Sequence, residues 1–225
     1  MISFSQAIEA TAEVNFSSSP IVTITMSLVP GSLAPDFLLD SVDDERVESV
    51  SLASMKGKYV VLMFYPVDFG FVTPTEFYAL EPLLDKFTSL DCYLLAISTE
   101  HNSSQSKFLG AARADAGLNS MKIRLASDPA GEVSKMYGVY KEEENICFRA
   151  LFIIDPEGKI VSIEKCDLPV GVSMNEQLRL LQAAMVMEGK KEGGTPADWE
   201  VGQPIFETGF KPGLGVETET FPEQN

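Results

Sequence analysis

The strongest chemical signal in the chain is Phe71-Val72-Thr73-Pro74-Thr75-Glu76, which follows the apolar run Tyr59 to Tyr65. The run reads as a buried strand, and Thr73-Pro74-Thr75-Glu76 reads as a helix start of the capping-box type. In that motif the threonine oxygen accepts from the amide of Glu76, proline suits the first helical position, and the glutamate reaches back to the amide of Thr73. Such a cap contributes roughly 0.5 to 2 kcal/mol relative to alanine. A thiol at a helix start loses its proton easily, because free amides and the helix dipole favour the anion. A threonine hydroxyl does not ionise usefully near neutral pH and attacks only with a general base beside it. The one histidine, His101, follows a different strand without a visible orienting partner and reads as a surface loop residue.

Three cysteines, Cys92, Cys147 and Cys166, form neither a C-x-x-C pair nor a metal-ligand spacing. Their odd number argues against a secreted disulfide framework and for a reducing compartment. No cofactor and no metal are expected. Cys147 lies two residues before Arg149 on a predicted strand, so the spacing places both side chains on one face. Cys92 opens a buried strand and reads as core. Cys166 ends a strand beside Asp167, whose charge would disfavour a thiolate.

The elements that must position these groups alternate. Tyr59 to Tyr65, Cys92 to Ser98 and Ala150 to Ile154 are short apolar runs of the kind found in strands covered on both faces. Phe77, Leu80, Leu84 and Phe87 recur at helical spacing, as do Met174, Leu178, Leu181 and Met185. Pro82 should kink the first of these helices, because it removes a backbone donor and crowds the carbonyl of Tyr78. Ser173-Met174-Asn175-Glu176 is a second capping box, and Asp155-Pro156-Glu157-Gly158 reads as a turn between two strands. The sum predicts an α/β fold, a central sheet with helices on both faces. Residues 1–25 form an N-terminal extension, residues 26–188 the domain and residues 189–225 a C-terminal arm; Val22 to Met26, at the first boundary, suits a half-buried strand. In that arm Ala197-Asp198-Trp199 is the aromatic knot before a loose acidic end.

A formal charge of -16 over 225 residues opposes binding to nucleic acid or to an anionic membrane surface. No segment approaches the ~18 apolar residues that mark a membrane helix. The first 45 residues contain no Lys or Arg, so the basic part of a signal or transit peptide is missing and the cytoplasm is expected.

From about Met26 to Trp199 the chain resembles the typical two-cysteine peroxiredoxins. The resemblance is carried, in order, by A-P-D-F near Pro35, Y-V-V-L-M-F-Y-P-V-D-F, F-V-T-P-T-E, A-I-S-T-E, F-R-A-L-F-I-I-D-P-E-G, D-L-P-V-G and the E-Q-L-R-L-L-Q helix. It implies a thioredoxin-like fold and a thioredoxin-dependent peroxidase ancestry. In that family a strand-to-helix loop of the form P-x-x-x-T-x-x-C binds the peroxide, and a distant arginine polarises it. The resemblance puts Pro66 and Arg149 at their usual places and keeps Glu76. It puts Gly70 where the threonine is usual, Thr73 at the peroxidatic cysteine, Thr195 at the resolving cysteine and Val172 where an arginine follows D-L-P-V-G.

The expectation that follows is a pseudoenzyme acting as a scaffold, an assembly subunit or a chaperone-like oligomer. The alternatives are a thiol peroxidase with a relocated thiol, Cys147 or Cys166, or an altered form of an active enzyme. The family also implies homodimers through sheet edges and rings of dimers through the loop that carries F-V-T-P-T-E. Phe69 and Phe71 suit that ring contact, whereas Ser103 stands where a phenylalanine is common, so a dimer is the firmer expectation.

Overall fold

The computed structural model describes residues 27–43 and 46–207, so the strand expected at Val22 to Met26 lies outside the described residues. The chain enters a hairpin of β1 (Leu38–Asp43) and β2 (Arg46–Ser51), then β3 (Tyr59–Phe64), α1 (Thr73–Leu80) and α2 (Leu84–Ser89). There follow β4 (Cys92–Ser98), α3 (Asn102–Gly110), β5 (Arg124–Ser127) and α4 (Glu132–Met136). A two-residue pair, β6 (Tyr140–Lys141) and β7 (Ile146–Cys147), precedes β8 (Arg149–Ile154), β9 (Ile160–Cys166) and α5 (Met174–Met187).

Seven strands make one mixed sheet in the order β2-β1-β5-β4-β3-β8-β9. The central strands β3, β4 and β5 run parallel, and β8 pairs antiparallel with β3. Alternation along the strands divides the core in two. Val61, Met63, Leu151 and Ile153 face α1, α2, α3 and α5 through Phe77, Leu80, Phe87, Phe108 and Leu181. Val60, Leu62, Phe64, Ala150, Phe152 and Ile154 face the opposite layer, which contains Met55, Val133 and Tyr137. Every residue of β3 and β8 is buried, which explains why β3, and β8 after its opening Arg149, are unbroken apolar runs.

Local chemistry sets the junctions. At Pro82 the helical path breaks into a 3-10 turn, Glu81–Leu83, between α1 and α2. Asp155 Oδ1 accepts from the amides of Glu157 (3.0 Å) and Lys159 (2.8 Å), and Gly158 takes φ +85°, closing the β8–β9 turn. The Ser173 hydroxyl accepts from the amide of Glu176 at 3.3 Å and caps α5. The reciprocal half of that box is not made, because the Glu176 carboxylate pairs with Arg179 at 2.6 Å. In the C-terminal arm Trp199 is buried against Ala183 and Ile205, and Gly194 exchanges backbone hydrogen bonds with Phe206.

Candidate functional site

The loop leaving β3 carries the buried Pro66 and delivers the chain to Thr73, the first residue of α1, which is wholly buried. The capping box expected there does not form. Val72 is already helical (φ −93°, ψ −40°), and its carbonyl accepts from the amides of Thr75 (3.0 Å) and Glu76 (3.3 Å). The helix therefore starts one residue early, and Thr73 lies inside it. Its hydroxyl instead accepts a hydrogen bond from Arg149 Nη1 at 3.2 Å. Glu76 turns away from the amide of Thr73 toward Arg149 Nη1 (2.6 Å) and the amide of Val172 (3.0 Å). The reason is energetic: a buried guanidinium without a counter-charge is far costlier than an uncapped helix start.

Arg149 opens β8 with 4% of its surface exposed, and its Nε donates to the carbonyl of Leu168 at 2.7 Å. Burial pushes the Glu76 carboxyl up from its ordinary value, while the Val172 amide and the Arg149 guanidinium pull the other way. Val172 supplies only its backbone here; its side chain packs on the core. A Cβ on Gly70 would lie 3.7 Å from Thr73 Oγ1 and 3.0 Å from Val67 Cγ2, so position 70 faces the Thr73 hydroxyl across a tight gap. The structure thus brings Gly70, Thr73, Glu76, Arg149 and the Val172 backbone together. Thr195 sits half-buried next to the Gly194–Phe206 bridge, and no hydrogen bond joins it to Thr73.

The thiols fall in three different places. Cys147 does not share a face with Arg149, because Phe148 interrupts the strand between β7 and β8 and the alternation is lost. Its sulfur lies 3.2 Å from Ser134 Oγ in the layer opposite the site, and burial pushes it up to about 12. Cys92 is in the core and is likewise pushed up to about 12 by burial. Cys166 is half-buried and is the cross-strand register partner of Arg149. Burial, and then the charge of Glu164, raise its pKa; the Glu164 Oε1 oxygen stands 3.8 Å from the sulfur. The carboxylate that disfavours the thiolate is therefore Glu164 rather than the expected Asp167, whose Oδ1 accepts from the amide of Leu168.

Sequence reasoning missed a second polar group behind the loop. The Tyr65 hydroxyl donates to Asp68 Oδ1 at 3.0 Å, and Gln105 Nε2 donates to Ser98 Oγ (3.1 Å) and to the carbonyl of Ala126 (2.9 Å). Asp68 is 8% exposed, its Oδ2 has no partner, and burial pushes its carboxyl up to about 6. The signal available in the sequence was a charged residue in an otherwise apolar loop, two places before Gly70. His101 is exposed at the start of α3, where its carbonyl accepts from Ser104 and Gln105, as expected of a loop residue. Phe71 is fully exposed, and Phe69, at φ 53°, packs edge-on against Phe108 with ring centroids 5.1 Å apart.

A buried arginine behind a strand-to-helix loop, on a seven-stranded mixed sheet, defines a thioredoxin-like fold of the peroxiredoxin class. Residues 30–163 match the model of the AhpC/TSA family. The chain is 42% identical over 194 residues to peroxiredoxin prdx-2 of Caenorhabditis elegans, covering 83% of this chain and 96% of that protein. It is 40% identical over 191 residues to a thioredoxin peroxidase of Echinococcus granulosus, covering 84% and 96%. Among solved structures, reduced 2-Cys peroxiredoxin of Plasmodium vivax superposes with a TM-score of 0.74 at 32% identity, over 78% of this chain and 91% of that one. The chain belongs to the AhpC/TSA family, within its typical two-cysteine peroxiredoxins.

Proposed function

We propose that this chain is a peroxiredoxin-fold pseudoenzyme that works by binding, as a homo-oligomeric scaffold or chaperone-like subunit in the cytoplasm. The observation that carries this reading is the Thr73 hydroxyl hydrogen-bonded to Arg149, at the position where the family's attacking sulfur is expected. Peroxide reduction needs an atom that donates an electron pair to one oxygen while the O–O bond breaks, and is itself oxidised to a sulfenic acid. A threonine oxygen cannot take that role, and among the described residues its hydroxyl is hydrogen-bonded to Arg149 and to no general base. Gly70 removes the family's peroxide-binding hydroxyl, and Val172 removes a supporting arginine. The two ends of the family's disulfide would then be Thr73 and Thr195, which cannot cross-link. The Arg149–Glu76 pair supports a framework role, since it holds α1 to β8 from inside.

One observation favours the peroxidase alternative: Cys166 is the register partner of Arg149. Labelling with a sulfenic-acid-specific dione after a peroxide pulse separates the two readings. Rapid label on Cys166, abolished by Cys166→Ser, would establish a relocated thiol. The scaffold reading expects no rapid label, and a native mass spectrum showing homodimers or larger particles; a monomer with no co-purifying partner would remove its basis.

A further inference from the structure

The chain enters the domain through a reversal. The Val29 carbonyl accepts from the amide of Ser32 at 3.0 Å, Pro30 and Gly31 hold the two central positions, and Gly31 takes φ +92°. That is a type II turn, and it sends the residues before Val29 back alongside those after Ser32. Leu28 before the turn and Ala34 after it are both partly buried against one core layer, the layer that contains Met55, Val133 and Tyr137. Beyond the turn Leu33 opposes Lys159, with Ala34 donating to Gly158 (2.9 Å) and Ile160 to Ser32 (2.9 Å) on either side of the pair. In such a pattern the N–H and C=O of Leu33 itself point away from β9. The Leu33 side chain is 68% exposed and borders a groove of about 260 Å³. The groove's accessible wall comes from Leu33 and Ala53, both exposed, and from Ala34 and Pro156, both half-buried. Its volume is below the roughly 300 Å³ at which small-molecule pockets begin, so it suits a few side chains better than a ligand.

We infer that this groove is the docking site of the chain's own residues 20–26, P-I-V-T-I-T-M. The described chain begins at Ser27, and the turn aims what precedes it along the side on which Leu33 and Ala34 lie. A stretch of about six extended residues spans roughly 20 Å, which exceeds what the groove requires. Val22, Ile24 and Met26 alternate with Thr23 and Thr25, so an extended segment presents three apolar side chains to one side and two hydroxyls to the other. No residue from 20 to 26 is charged, so burial against Leu33 and Ala53 removes apolar surface from water without desolvating a charge. The connection through Ser27 and Leu28 is short, and an attached segment outcompetes the same segment of a second copy by its effective concentration. Docking does not depend on whether Thr73 supports peroxide turnover, since neither Thr73 nor Arg149 lines the groove.

The test is photo-crosslinking of the full chain carrying p-benzoylphenylalanine in place of Ile24, with the adduct located by peptide mass spectrometry. An adduct within one chain is expected, joining the peptide of position 24 to the peptides that carry Ala53 or Pro156. Leu33→Asp and Ala53→Asp each put a charge into the groove at an exposed position, where the fold tolerates it. Each should lower the adduct yield about tenfold, with the thermal midpoint unchanged. An adduct that links two chains would assign the groove to a second copy and overturn the inference. Adducts scattered over other elements, no adduct at all, or a yield that neither variant lowers would overturn it equally.

Discussion

Replacing Glu76 by glutamine changes one atom and separates two accounts of α1. A capping box accepts glutamine as readily as glutamate, so the substitution would be close to neutral if Glu76 served the helix start. In the structure its carboxylate lies 2.6 Å from Arg149 Nη1, with 2% and 5% of the two side chains exposed. Glutamine keeps an oxygen for the Val172 amide but leaves the guanidinium buried without a counter-charge. Breaking a buried pair in that way costs about 3 to 5 kcal/mol. For a domain of this size that is a fall of roughly 6 to 20 °C in Tm, and a large part of a total stability of about 5 to 15 kcal/mol. Urea unfolding followed by far-UV circular dichroism reads it as a lower midpoint at unchanged slope. A loss below about 1 kcal/mol would refute the assignment of Glu76 to Arg149.

Three further outcomes follow from the same geometry. Asp68 has a folded pKa of about 6, above the ~3.9 of an unfolded aspartate, so its contribution to stability is fully present below pH ~4 and lost as pH rises through ~6. Moving from pH 7 to pH 5 should therefore stabilise the protein by about 1.4 kcal/mol relative to Asp68→Asn in paired urea titrations, and parallel pH profiles would contradict this. Iodoacetamide at mildly alkaline pH should modify Cys166 first, leaving Cys92 and Cys147 to react only on unfolding; mass spectrometry of the peptides reads the order. The amides of Thr75 and Glu76, both bonded to the Val72 carbonyl, should exchange slowly in hydrogen exchange, because the first turn is tied to Arg149 from within. Exchange at loop rates there would count against that restraint.

Much of the fold was legible because its signals are local. The apolar runs at Tyr59, Cys92 and Ala150 became β3, β4 and β8, Pro82 broke the helix where its missing donor requires, and Ser173 capped α5. At the site, the wiring of Thr73, Glu76 and Arg149 was not legible, and Cys147 and Thr195 do not join them. Thr73 and Glu76 match a cap by spacing alone, yet their partner Arg149 lies 76 residues from Thr73, and a long-range charge overrode a local motif. Cys147 was misplaced for the opposite reason: two-residue alternation was carried across Phe148, where the strand is interrupted. The Asp68 network needed β3, α3 and β5 to be packed together before its polar atoms could meet, and no spacing rule announces that.

The most direct measurement is stopped-flow consumption of hydrogen peroxide by the fully reduced, contaminant-free chain, supplied with thioredoxin and its reductase and run beside an active two-cysteine relative. With a threonine hydroxyl in the grip of Arg149, the trace should not depart from that of a Thr73→Ala variant, and NADPH should not be drawn down. Peroxide reduction at a rate comparable with the active relative, lost in no cysteine variant other than Cys166→Ser or lost in none, would contradict a binding role for this chain.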